Sequence, residues 1–272
     1  MNPIVKTALL AALSTCQLPA HSQNPYATIG AIPLPAGYTR LQAEPNTFPT
    51  WLRHVSLKKD RTVYLYNGLP KRNQNVQFAV LDVSVGHEDL QQCADAVMRL
   101  RAEFLYANNK FSSIAFYTDQ GTRLGFQQFA NGIRYRLSGS RLVPVQASQP
   151  STQRTTFDAY LITVFEYCGT HSLEKQLQRP KPITAVEPGD VLIKGGSPGH
   201  AMLVVDAAED KQGRRIFLLA QSYMPAQDIH IVINPGDPNL SPWYRADQAQ
   251  TLLETPEWTF TINQLRSWPE GN

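Results

Sequence analysis

The stretch Pro188-Gly189-Asp190-Val191-Leu192-Ile193-Lys194-Gly195-Gly196-Ser197-Pro198-Gly199-His200-Ala201-Met202-Leu203-Val204-Val205-Asp206 decides the fold. Pro-Gly-Asp is turn chemistry: proline presets φ, glycine accepts positive φ, and aspartate bonds its own backbone. Val191, Leu192 and Ile193 suit a pleated, buried surface and predict a strand. Residues 195–199 make a tight glycine-rich loop. His200 then opens a second apolar run, so the two runs predict a hairpin. Downstream, the charged segment 209–215 turns the chain into a third strand over 216–221, ending at Gln221. Residues 229–233 predict a fourth. The C-terminal half is therefore expected to be an antiparallel meander.

Moving upstream, residues 157–167 predict a helix. Phe157, Tyr160, Leu161, Val164, Phe165 and Cys168 share one broad face, and Gly169 is a natural stop. A longer helix is expected over 88–107. There Leu90, Cys93, Ala94, Val97, Leu100, Phe104 and Leu105 recur at helical spacing. Glu88 and Asp89 would occupy its first turn, where the dipole favours acids, and Arg99 and Glu103 could pair four residues apart. Shorter strands are expected over 61–66, 76–83, 114–117 and 133–137. Residues 142–156, with Pro144 and Pro150, read as a loop, and the Pro-, Ala- and Gly-rich residues 23–45 as a linker. The expectation is one α+β domain over 46–265 with its core at 155–235.

The N-terminus carries Lys6, the apolar run Thr7-Ala8-Leu9-Leu10-Ala11-Ala12-Leu13, and Ala20-His21-Ser22 before Gln23. That order is an export signal, and the run is shorter than the roughly 20 residues a membrane span needs. Leu13-Ser14-Thr15-Cys16 resembles a lipoprotein processing box, but Thr15 is bulky for it. Cleavage after residue 22 and a periplasmic or secreted product are expected, rather than a lipid anchor at Cys16.

Of 272 residues, 42% are hydrophobic and 17% charged, so the chain can build a core and does not resemble a disordered one. The net charge of +3 is spread along the chain and forms no basic stripe for nucleic acid. No CxxC or HExxH pattern calls for zinc, and nothing signals an organic cofactor. Outside the leader, Cys93 and Cys168 remain, free or paired as one disulfide.

His200 is the first candidate for chemistry, because it starts a strand after a glycine-rich turn. Gln221 ends the neighbouring strand and can hold the imidazole in one orientation; a solvent-facing histidine is the plain alternative. Cys93 is the candidate thiol, though its place past the first turn and on the apolar face also fits core packing. Cys168, at a helix C-terminus, is a poor nucleophile because the dipole disfavours a thiolate there. Asp190 reads as a turn residue, Asp206 as a solvated strand end, Asp158 as a helix-start residue, and His230 as pointing to solvent. Tyr223, Trp243 and Tyr244 read as groove-lining or packing aromatics.

The segment from Pro188 to Val205, with Gln221-Ser222-Tyr223, resembles the NlpC-type and CHAP-type cysteine peptidases and amidases. The resemblance implies a papain-like helix plus antiparallel meander with an N-terminal α+β extension. It also implies that His200 and Gln221 belong to a catalytic set. The helix over 157–167 resembles the family's nucleophile helix, yet carries Phe157-Asp158-Ala159 where that family has cysteine; either Cys93, from another helix, takes over as the thiol, or the chemistry is lost. The chain as a whole is also similar to an uncharacterised exported bacterial group, domain-of-unknown-function family 4846. Cys93 to Glu103 and Ala220 to His230 carry that likeness.

Together these readings imply an envelope cysteine hydrolase acting on peptides such as peptidoglycan stems, with Cys93, His200 and Gln221 as its site. The rivals are a non-catalytic envelope binding protein with a degenerate cleft, and a carboxylate site at Asp158.

Overall fold

The protein is described by a computed structural model covering residues 23–269. The predicted meander forms the middle of an eight-stranded sheet. Val191–Lys194 pairs antiparallel with His200–Asp210, placing Lys194 opposite His200. His200–Asp210 pairs with Arg215–Gln221, which pairs with His230–Val232 through Gln221 and His230. Gln77–Val80 continues the sheet beyond His230–Val232. Leu265–Arg266 closes the other edge against Val191–Lys194. Glycine is required twice here. Gly189 has φ +98° beside Phe48, and a Cβ on Gly199 would lie 2.4 Å from the carbonyl oxygen of Gly196.

The strands read as continuous apolar runs because both faces of the sheet are covered. Ala201, Leu203 and Val205 face the larger core, while Met202 and Val204 face a smaller one with Phe260 and Leu253. The larger core is covered by helix Cys93–Ala107, which packs on the His200 strand. The smaller one is covered by the hairpin Leu252–Glu254 with Thr259–Thr261.

Several expectations change. The helix expected from residue 88 begins at Cys93. Before it, the N–H groups of Leu90 and Gln92 bond carbonyls only two residues back, and the Asp95 carboxylate accepts the Gln92 N–H to start the helix. Asp89 instead accepts the Ala226 N–H of a distant loop. The second helix starts earlier, at Arg154, runs to Tyr167, and packs on the Cys93 helix and on helix Phe126–Ala130. A further helix, Thr170–Gln176, follows Gly169.

The expected loop at 142–156 begins as a strand, Arg141–Gln146, paired with Ile133–Ser138. Pro144 fits there because a two-stranded ribbon has free edges. Residues 61–66 form no strand, making only isolated bridges from Tyr64 to Pro70 and from Leu65 to Gln227. Residues 23–45 are not a bare linker. Ile29 and Ile32 enter the core, and Tyr38–Arg40 pairs with the far end of the His200 strand.

Asp206, read as solvated, is fully buried mid-strand. It is held there by Arg40 and Arg53, each with Nε 2.7 Å from one of its carboxylate oxygens. His230 is equally buried, its ring beside Gln221 and the Asp228 carbonyl. Trp243 and Tyr244 are core residues rather than groove aromatics. The export signal and Cys16 lie outside the described residues. Among those described, no helix is long and apolar enough to cross a membrane.

Candidate functional site

The site forms where one end of the sheet meets the start of the Cys93 helix. Cys93 is the first helical residue, not one past the first turn as the periodicity suggested. Gln92 is extended, and Asp95 caps it. The Cys93 side chain faces the backbone amide of Ala201, the residue after His200. Burial pushes the Cys93 thiol up, and Asp95 nearby adds to this. The amides of Ala201, Ala94 and Cys93 itself pull the other way without reversing it. At rest the sulfur is therefore held as a thiol.

His200 heads its strand, 1% exposed. Its Nε2 lies 2.8 Å from Oε1 of Gln221. The Gln221 amide nitrogen is 2.8 Å from Oε2 of Glu257 and 3.4 Å from Nε2 of His230. Lys71 Nζ donates to the same Glu257 oxygen at 2.5 Å. Nδ1 of His230 faces the carbonyl oxygen of Asp228 at 2.9 Å. The rings of Tyr223, Trp258 and Phe260 surround His200, with centroids 5.1, 5.3 and 5.9 Å away.

This apolar enclosure sets the charges. Burial lowers His200 to about 4 against its hydrogen bond to Gln221, and Lys71 adds repulsion. Burial lowers His230 to about 3, with Lys71 again adding repulsion. Both rings are neutral at neutral pH. Lys71 is itself lowered by burial, partly offset by Glu257. A neutral imidazole can act as a general base for a thiol that it reaches. It does so without the preformed ion pair that a more polar site would favour.

His200 and Gln221 were legible as neighbours in the sequence, and the structure joins them directly. Cys93 reaches the same end of the sheet through its helix. The thiol-bearing helix Cys93–Ala107 packs on the His200 strand. Asp158 lies in the second turn of its own helix, half exposed and paired with Arg154. Asp190 holds its turn as expected, accepting the Glu187 N–H, and also pairs with Lys181.

Cys168 is the C-cap of the preceding helix. Its thiol is pushed up by burial and then by Asp95, and both Cys93 and Cys168 are free. Among the described residues, no cluster of three His, Cys, Asp or Glu is arranged to hold a metal ion.

Sequence reasoning missed Lys71, Glu257, Trp258 and Phe260. Glu257 and Trp258 sit on the turn of the covering hairpin. That turn is closed by the Thr255 N–H to the Trp258 carbonyl at 2.8 Å and by the Thr255 hydroxyl. Nothing local in Glu254-Thr255-Pro256-Glu257-Trp258 announces that it folds over a histidine. A hollow of about 300 Å³ lies beside the segment leading into Cys93, lined by His87, Gln91, Arg99, Arg154 and Leu161 among others.

Residues 30–267 match the family described as "Domain of unknown function (4846)". No curated protein and no solved structure matches the chain.

Proposed function

We propose that this chain, which belongs to the domain-of-unknown-function family 4846, is an exported cysteine hydrolase that cleaves amide bonds of cell-envelope peptides. One observation carries the reading. A thiol at the first residue of a helix faces the strand that begins with a histidine, and the histidine is held by a polar residue on the next strand. Papain-like hydrolases use this order of parts.

The chemistry follows from the geometry. With Nε2 engaged by Gln221, His200 has Nδ1 left to take the Cys93 proton. The thiolate attacks the carbonyl carbon, and charge gathers on the carbonyl oxygen near the N-terminus of the helix, where the dipole favours it. The imidazolium returns its proton to the leaving amine as the C–N bond breaks. Water, deprotonated by the same ring, then releases the acyl group and regenerates the thiol. Tyr223, Trp258 and Phe260 keep bulk water from the ring. Gln221 acts as a positioning residue, since it touches only His200 and its own supports.

The test is digestion of purified peptidoglycan and of free stem peptides, read by mass spectrometry, with wild type and Cys93→Ser. New amine termini with wild type alone are expected. The near-complete burial of Cys93 and His200, 6% and 1% exposed, favours a second reading, a closed cleft that only binds envelope peptides. Equal retention of peptidoglycan by wild type and Cys93→Ala, with no cleavage, would establish that reading. Absence of both cleavage and retention removes both.

A further inference from the structure

Behind His200 and Gln221 lie three groups that the hydrolytic steps do not use: buried Lys71 and His230, and partly buried Glu257. We infer that Glu257 and His230 together force His200 into the tautomer protonated at Nε2, which makes Glu257 a positioning residue for the thiol–imidazole pair. This rests on the reading of His200 as the base for Cys93, and it adds a residue remote in sequence from the thiol.

An isolated glutamine amide has no reason to present its oxygen to a histidine rather than its nitrogen, because each end finds a partner on a neutral ring. Here both other neighbours of Gln221 demand the nitrogen. Glu257 accepts from the Lys71 ammonium at 2.5 Å; a carboxylate so paired is an acceptor only. At 2.8 Å it requires an N–H from Gln221. His230 turns Nδ1 to the Asp228 carbonyl at 2.9 Å, so that nitrogen must carry the ring's proton. Its Nε2 is then a lone pair, which also requires an N–H from Gln221. Oε1 is thereby directed at His200, whose Nε2 must donate across 2.8 Å.

The proton of a neutral ring is then accounted for, and Nδ1 is left bare. The flipped amide would set its oxygen against a carboxylate and a lone pair, with its N–H groups unpaired in a buried site. That is a costly arrangement. The simpler role for Glu257, neutralising Lys71, makes no demand on the tautomer of His200.

The decisive experiment reads the ring directly. The protein is labelled with ¹⁵N-histidine and two-bond ¹H–¹⁵N spectra are recorded near neutral pH, with His200 assigned by its loss in His200→Ala. Wild type is expected to show His200 protonated at Nε2 and His230 at Nδ1. Glu257→Leu is expected to move His200 largely to the Nδ1-protonated form and to slow alkylation of Cys93 by iodoacetamide at least tenfold. Glu257→Gln, which keeps an acceptor oxygen, is expected to retain the Nε2-protonated form. A wild-type His200 protonated at Nδ1 overturns the inference without any variant having to fold, and so does an unchanged tautomer in a folded Glu257→Leu. Failure of the hydrolase reading looks different. Alkylation of Cys93 would be as fast in His200→Ala as in wild type, while the wild-type tautomers stayed as stated.

Discussion

The side chain of Cys93 faces the amide of Ala201, one residue beyond His200, although the two segments are more than a hundred positions apart in the chain. That approach brings the thiol at a helix start to the end of the sheet where His200 heads its strand, with the helix on the larger-core face and the His200 ring against Trp258 and Phe260. The charge states of Cys93 and His200 follow from how tightly this end of the sheet is enclosed.

If the pair is catalytic, Cys93→Ser lowers amide hydrolysis on the order of 10³-fold or more, and His200→Ala falls to a similar floor, because the two act as a unit. The double variant is expected to be no worse than either single one. Rates on a stem peptide, with circular dichroism to confirm folding, check this. Multiplying losses in the double variant would show that the residues act separately.

The pH profile of the free thiol is distinctive. Burial raises Cys93 and lowers His200 to about 4, so no thiolate–imidazolium pair forms near neutrality. Alkylation by iodoacetamide should climb only above the ordinary thiol range. A rate already at its plateau in mild acid would mean a preformed ion pair.

The buried histidines also make stability pH-dependent. His200 at about 4 and His230 at about 3 lie below the ordinary 6.5, so the unfolded chain takes up protons that the folded chain refuses. Their contribution is whole above 6.5 and declines as pH falls towards those folded values. Asp190, pushed up to about 6 by burial, works in the opposite direction, since the folded state binds its proton first. Asp95, also raised by burial, does the same. Comparison with His230→Asn isolates the histidine. Wild type should lose about 2 kcal/mol more than the variant between about pH 7 and about pH 4.5, by urea unfolding. Equal losses would mean that His230 titrates normally in the fold.

Asp206 ties the N-terminal segment to the sheet through Arg40 and Arg53. Asp206→Ala leaves two guanidinium groups against a buried gap, and a loss of about 3–5 kcal/mol is expected. Arg40→Met should cost less, because Arg40 is a quarter exposed and Arg53 stays in place. Chemical denaturation measures both. The Asp206 variant should also become more susceptible to proteolysis within residues 23–45.

Export is checked on the protein recovered from a producing cell. N-terminal sequencing is expected to read Gln-Asn-Pro-Tyr, from Gln23. A blocked, lipid-modified Cys16 would identify an anchored form instead, and an intact Met1 would remove the envelope from the proposal.

The meander could be read directly, because its information is local. Turn residues at Pro188, Gly189 and Asp190 and apolar runs of strand length suffice to build a hairpin, and consecutive hairpins bring His200 beside Gln221. The Cys93 helix was legible by its periodicity but not by its start. Glu88 and Asp89 look like first-turn acids, whereas Asp95 is the residue that caps it and Asp89 holds a loop near Ala226.

By itself, the sequence determined the antiparallel core, the pairing of His200 with Gln221, and the presence of a thiol on a long amphipathic helix. Tertiary structure decided which helix lies on the His200 strand, since the apolar stripes over 88–107 and 157–167 would each serve to cover a sheet. It also decided the fate of the charged and polar side chains. A strand pattern gives the direction of a side chain but not what is waiting there. Asp206 is buried where Arg40, 166 residues away, reaches it, and His230 where Gln221 meets its ring. Gln221 is oriented by Glu257, 36 residues further on. Backbone pairing is set by neighbours in the chain, but desolvating a charge or fixing an amide requires partners that only the folded chain assembles.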